Sequence, residues 1–153
     1  MRMPLLLATA AVLTVLAARV PGQSDSPTAR HAASRAESSK VAARGNVQHG
    51  RYIAEHVAMC IECHSGRDAS GNIVQSELFE GGPIPFAPPW PNDWANRAPR
   101  NKGLPGYTDE QALRLLTEGA IGRDGKQLRP PMPRFRMTRQ DATDVIAFLR
   151  SLP

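Results

Sequence analysis

Only two of the 153 residues are cysteine, so the chain has neither a disulfide framework nor a second cysteine pair to complete a structural zinc site. Aromatic residues are scarce as well. Four Phe, two Tyr and two Trp leave a domain short of core material unless something else supplies apolar surface. No apolar run reaches the roughly twenty residues that a membrane-crossing helix needs. The longest, Pro4 to Ala18, follows Met1-Arg2-Met3 and precedes Pro21-Gly22, which is the pattern of a secretory signal peptide over residues 1–22. An uncleaved membrane anchor is the competing reading, and a lipidated N-terminal cysteine is excluded because both cysteines lie far downstream. A real excess of positive charge is also lacking. The formal +5 includes Arg2, Arg19, Arg30, Arg35, Lys40 and Arg44, and from Asn46 onward 13 Lys/Arg face 12 Asp/Glu. The basic pI is therefore no sign of a nucleic-acid partner.

What the chain does have is Cys60-Ile61-Glu62-Cys63-His64, which holds both cysteines and an adjoining histidine. Covalent attachment of a c-type haem asks for this spacing. Two thiols add across the two vinyl groups of a porphyrin, and an imidazole from the same short segment reaches the iron. Cys60 and Cys63 are the expected thioether residues, and His64 the expected proximal ligand. A zinc site would need further ligands at suitable spacing, and a thioredoxin-like dithiol would follow a strand rather than a helical pattern. One covalently bound haem c is the expected cofactor, and its apolar body would supply the missing core.

Residues 23–45 run through Ser, Ala, Arg and Thr without apolar periodicity and read as a flexible linker. Residues 46–153 then form one domain of common size. Its first helix is expected from about Val47 into the cysteine motif, with Val47, Ile53, Ala54 and Val57 near one face. A second begins after Thr108, where Gln111 completes a capping box, and ends before Gly119. A third begins after Thr138, with Ala142, Val145, Ile146 and Leu149 in a stripe. Between Ser65 and Tyr107 lies a long segment rich in Gly, Pro, Asn and Asp. At that length it is suspicious as empty connector.

Three methionines outside the signal could give the iron a second ligand. Met59 precedes Cys60 on the attachment side, and Met137 suits a staple at a helix entrance. Met132 stands in Arg129-Pro130-Pro131-Met132-Pro133, where prolines fix the backbone and hold a thioether in place at little further entropic cost. It is the expected distal ligand. His31, His49 and His56 are assigned to the linker or to the helix leading into Cys60. An iron capped by His64 and Met132 has no vacant position for a substrate, so single-electron transfer is expected rather than catalysis. The alternative is a haem enzyme or a gas or peroxide sensor with an open or labile distal position.

Several of these pieces together resemble the class I c-type cytochromes, in a branch similar to the cytochrome subunits of bacterial quinohaemoprotein alcohol dehydrogenases. They are Gly50-Arg51-Tyr52 ahead of the cysteine motif, Gly103-Leu104-Pro105-Gly106-Tyr107-Thr108-Asp109-Glu110, Pro131-Met132-Pro133 and Ile146-Ala147-Phe148-Leu149. The resemblance spans Asn46 to Pro153. It implies an all-α fold around one haem, His64 and Met132 as axial ligands, and a crossing of the first and last helices near Gly50 and Phe148. Members often show Ala-Pro-Asn where this chain has Ala98-Pro99-Arg100-Asn101-Lys102.

Trp90, Trp94, Arg97, Arg100 and Asn101 are candidates to hold the haem propionates. Pro83 or Pro85 is expected to offer a carbonyl to His64 Nδ1. The expected partners are redox proteins, such as a periplasmic dehydrogenase or a terminal electron acceptor. The basic stretch 123–139 is either a solvated surface or their docking patch. Export to the periplasm follows from the signal peptide, and membrane attachment only from its retention.

Overall fold

The computed structural model describes residues 45–153, so the expected signal peptide and all but the last residue of the expected linker lie outside the described residues. Helix α1 spans Val47–Tyr52 and starts at Asn46, whose side chain accepts a hydrogen bond from His49 N–H. The expectation of one helix running into the cysteine motif is corrected here. Residues Ile53–Val57 form a π turn, in which Ala58 N–H reaches Ile53 O across five residues. Met59 then adopts a left-handed φ of 53°, and a new helix, α2, begins at Cys60–His64. The extra residue in the turn rotates the apolar pattern. Ile53 and Ala54 are buried, whereas Val47 and Val57 are exposed.

Helix α3 covers Asp109–Thr117 and α4 covers Arg139–Ser151, close to the expected bounds. Thr108 Oγ1 accepts from Gln111 N–H while Gln111 Oε1 accepts from Thr108 N–H, closing the capping box. At α4 the Thr138 hydroxyl accepts from Asp141 N–H. Ala142, Val145, Ile146 and Leu149 are all buried. Burial of each of the three larger side chains contributes about 1.5–3 kcal/mol before entropic costs.

The first and last helices cross, and Gly50 is the reason they can. A Cβ there would overlap the carbonyl group of Asp144 and come 2.9 Å from Val145 N. The contact on α4 is thus Asp144–Val145, about one turn before the expected Phe148. Phe148 instead meets Phe79 edge to face, with ring centroids 5.5 Å apart. Asp144 also caps the other helix, since Oδ1 accepts from Asn46 N–H at 2.7 Å and Oδ2 pairs with His49 Nδ1 at 2.8 Å.

The long segment after His64 is ordered by backbone bonds rather than by regular elements. Strands β1 (Gly82–Pro83) and β2 (Arg97–Ala98) pair antiparallel, with Gly82 opposite Ala98. Phe79, almost fully buried, anchors the segment: its N–H donates to Ser65 Oγ, and its carbonyl accepts from Asn101 and Lys102 N–H. Gly81 N–H donates to His64 O at 2.8 Å. These ties bring residues 97–101 beside the end of α2.

Candidate functional site

A cavity of about 530 Å³ opens between these elements, within the size range of cofactor sites. Helix α2 contributes Cys60, Cys63 and His64, and α3 contributes Ala112, Leu115 and Leu116. Val145 and Leu149 come from α4, while Leu128, Met132 and Phe135 come from the chain before it. The same apolar stripes that build the helical core therefore form the cavity wall. Most of the lining is hydrocarbon, with the polar and sulfur-bearing groups confined to a few positions.

The two cysteines form no disulfide with each other. Burial pushes the Cys60 thiol up to about 11 and also raises that of Cys63. Among the described residues, no group of three or more His, Cys, Asp and Glu side chains is arranged to hold a metal ion. A structural zinc site lacks its donor set among these residues.

His64 is buried, and burial holds its imidazole below the ordinary histidine range, opposed by a backbone hydrogen bond. That bond joins Nδ1 to Pro99 O at 2.7 Å. A carbonyl can only accept, so Nδ1 carries the hydrogen and Nε2 keeps its lone pair. The expected Pro83 or Pro85 partner is corrected to Pro99. Pairing of Gly82 with Ala98 puts the residue after β2, rather than one on β1, beside the ring. No local pattern marks Pro99 for this role, because it lies 35 residues from His64.

Met132 lines the cavity, as does Met59 on the segment that carries the cysteines. Met137 is outside the lining and packs against the hydrophobic core. Of the proposed polar contacts, Arg97, Arg100 and Asn101 lie on the cavity wall, whereas Trp90 and Trp94 do not. Trp90 is 65% exposed. Trp94 packs edge-on against Phe86, itself a lining residue, and its buried indole N–H has no partner among the described residues. Asn101 Oδ1 is likewise buried without a partner. Arg100 approaches Glu80 Oε2 at 3.3 Å, and Lys102 Nζ approaches Glu80 Oε1 at 3.0 Å. Ile84, Phe86 and Leu128 were absent from the sequence-based site, since a side chain's share in a cavity wall depends on how distant segments come together.

The donor set fits a covalently held haem: two thiols and an imidazole with a free nitrogen from one helix, a thioether from a distant segment, and an apolar wall. No curated protein matches the chain. The family model described as Cytochrome c matches residues 47–153. The chain therefore belongs to the cytochrome c family, with the helical class I fold and haem c as its covalently attached cofactor, and functions as a haem-based electron carrier.

Proposed function

We propose that this cytochrome is an exported carrier of single electrons whose iron is held by His64 and Met132. The observation that carries this reading is the convergence of Cys60, Cys63, His64 and Met132 on one cavity. When bound, haem c supplies a one-electron iron couple. Cys60 and Cys63 would anchor the cofactor through thioethers. Pro99 O fixes the His64 tautomer and makes Nε2 a better donor. The Met132 sulfur is a soft donor that favours the ferrous state and raises the potential. Apolar side chains from α3 and α4 line the cavity and would exclude water from a haem bound there, limiting the solvent rearrangement that electron transfer requires.

The proposed setting is the periplasm, on the strength of the residue pattern at 1–22. The partner is a periplasmic dehydrogenase, of which this chain is a carrier or a haem subunit, or a terminal acceptor. The choice of a dehydrogenase rests on the resemblance of the sequence motifs alone. Exposed Lys126, Arg134, Arg136 and Arg139 offer the basic patch for an acidic partner surface. Such docking makes the electron-transfer rate fall as salt rises, and a salt-independent rate would remove the patch from the reading.

A pyridine haemochrome spectrum of the mature protein, combined with carbon monoxide addition to the native ferrous form, tests the ligation. Covalent haem that refuses carbon monoxide is the expected result. Ready binding of carbon monoxide would overturn the closed His64/Met132 site in favour of a catalytic or sensing haem.

A further inference from the structure

Met132 lies in a segment with little means of holding itself in place. Residues 130, 131 and 133 are proline, so three of the four backbone N–H groups between Pro130 and Pro133 are missing. The segment belongs to no helix or strand. Its two ends are tied to α3 and the turn after it, through Met137 N–H to Leu116 O and Leu128 N–H to Ala120 O. Proline stiffens the backbone locally, but something outside must fix where that stiff piece sits.

Arg129 supplies the external tie. Its Nε donates to Asp93 O at 2.5 Å and its Nη2 to Trp94 O at 3.0 Å. In the reverse direction, Ala95 N–H donates to Pro130 O at 2.7 Å. Three hydrogen bonds thus join residues 129–130 to 93–95, the end of a stretch itself depleted of donors by Pro85, Pro88, Pro89 and Pro91. The planar guanidinium bridges two successive carbonyls, which a lysine ammonium matches poorly. Arg129 also lines the cavity beside Pro131 and Met132.

We propose that Arg129 is a positioning residue: it staples the proline-rich Met132 segment to residues 93–95 and so keeps the thioether on the iron. This rests on the reading of Met132 as the distal ligand. One cation within the basic stretch is thereby committed to internal structure rather than to a partner.

The test uses full-length, exported holoprotein and two readouts, the sulfur-to-iron charge-transfer band of the ferric form and the rate at which cyanide displaces the distal ligand. Arg129→Gln should exchange about fivefold faster or more, the factor attached to one hydrogen bond of ordinary net strength. Arg129→Lys should fall between that variant and the parent, and carries the test if Arg129→Gln yields no holoprotein. Arg134→Gln removes a cation from the same segment and sets the effect of charge alone. A parental band with exchange in both Arg129 variants no faster than in Arg134→Gln would overturn the staple and leave Met132 as ligand. A parent protein without the band that takes up carbon monoxide would instead overturn the ligand assignment, and the staple with it.

Discussion

Replacing Gly50 by alanine probes the contact on which the helical frame depends. In an isolated helix the change would be favourable by about 0.8–1 kcal/mol, because glycine loses more backbone freedom on folding. In this fold the added methyl group would overlap the Asp144 carbonyl and lie 2.9 Å from Val145 N. Those atoms are backbone within α4, so no side-chain rotation relieves the overlap, and the helices must separate. Separation loosens the Asp144 bonds to Asn46 and His49 and opens packing around Ile53, Val145 and Ile146. Overpacking of this kind costs typically 1–3 kcal/mol, and backbone that cannot rotate away puts Gly50→Ala near the upper end, which less the helix gain leaves about 2 kcal/mol net. For a domain of this size, that is a fall in Tm of roughly 10 °C or more. Denaturant and thermal unfolding of the holoprotein, followed by far-ultraviolet circular dichroism, measure it. Exposed Gln48→Ala in the same helix should stay within about 0.5 kcal/mol of the parent. Gly50→Ala with unchanged or higher stability would refute the close-crossing explanation.

Arg150 ties the end of α4 to Asp109 at 2.9 Å and to the carbonyls of Gly103, Leu104 and Tyr107; Arg150→Ala, which removes the charged hydrogen bonds to Asp109 and to these carbonyls, should cost about 2 kcal/mol by chemical unfolding. Burial pushes the Asp144 carboxyl up, but hydrogen bonds from His49, Asn46 N–H and Gln140 outweigh it and hold the group below its ordinary 3.8. A depressed folded-state pKa means stability fully present above the unfolded value and lost as pH falls through the folded one. Tm should therefore drop with acidification below about pH 4, and Asp144→Asn should flatten part of that slope, whereas an unchanged slope would remove Asp144 as a contributor. Met132→Ala should yield a high-spin iron that binds carbon monoxide and has a lower potential, while Met137→Ala should leave the spectrum intact and only reduce stability; the opposite pattern would transfer the ligand role to Met137.

The parts of this protein readable from residue order alone are those whose physics is local. Cys60, Cys63 and His64 must share one short segment to serve one porphyrin edge, so their spacing states the cofactor. The caps at Thr108 and Thr138 act within three residues, and the stripe from Ala142 to Leu149 repeats at the helical period, so α3 and α4 were legible almost to their ends. The need for glycine at position 50 was legible, but not its partner. That depends on how far α4 slides along α1, which no local pattern states. The first helix was misread because a single extra residue in a π turn shifts the pattern without changing its composition. Pro99 as the support of His64, the reach of Arg129 to residues 93–95, and the exclusion of Trp90 from the cavity wall depend on segments more than thirty residues apart. Such contacts have no period or spacing to betray them, since they exist only after the chain has closed its loops and chosen among many sterically permitted neighbours.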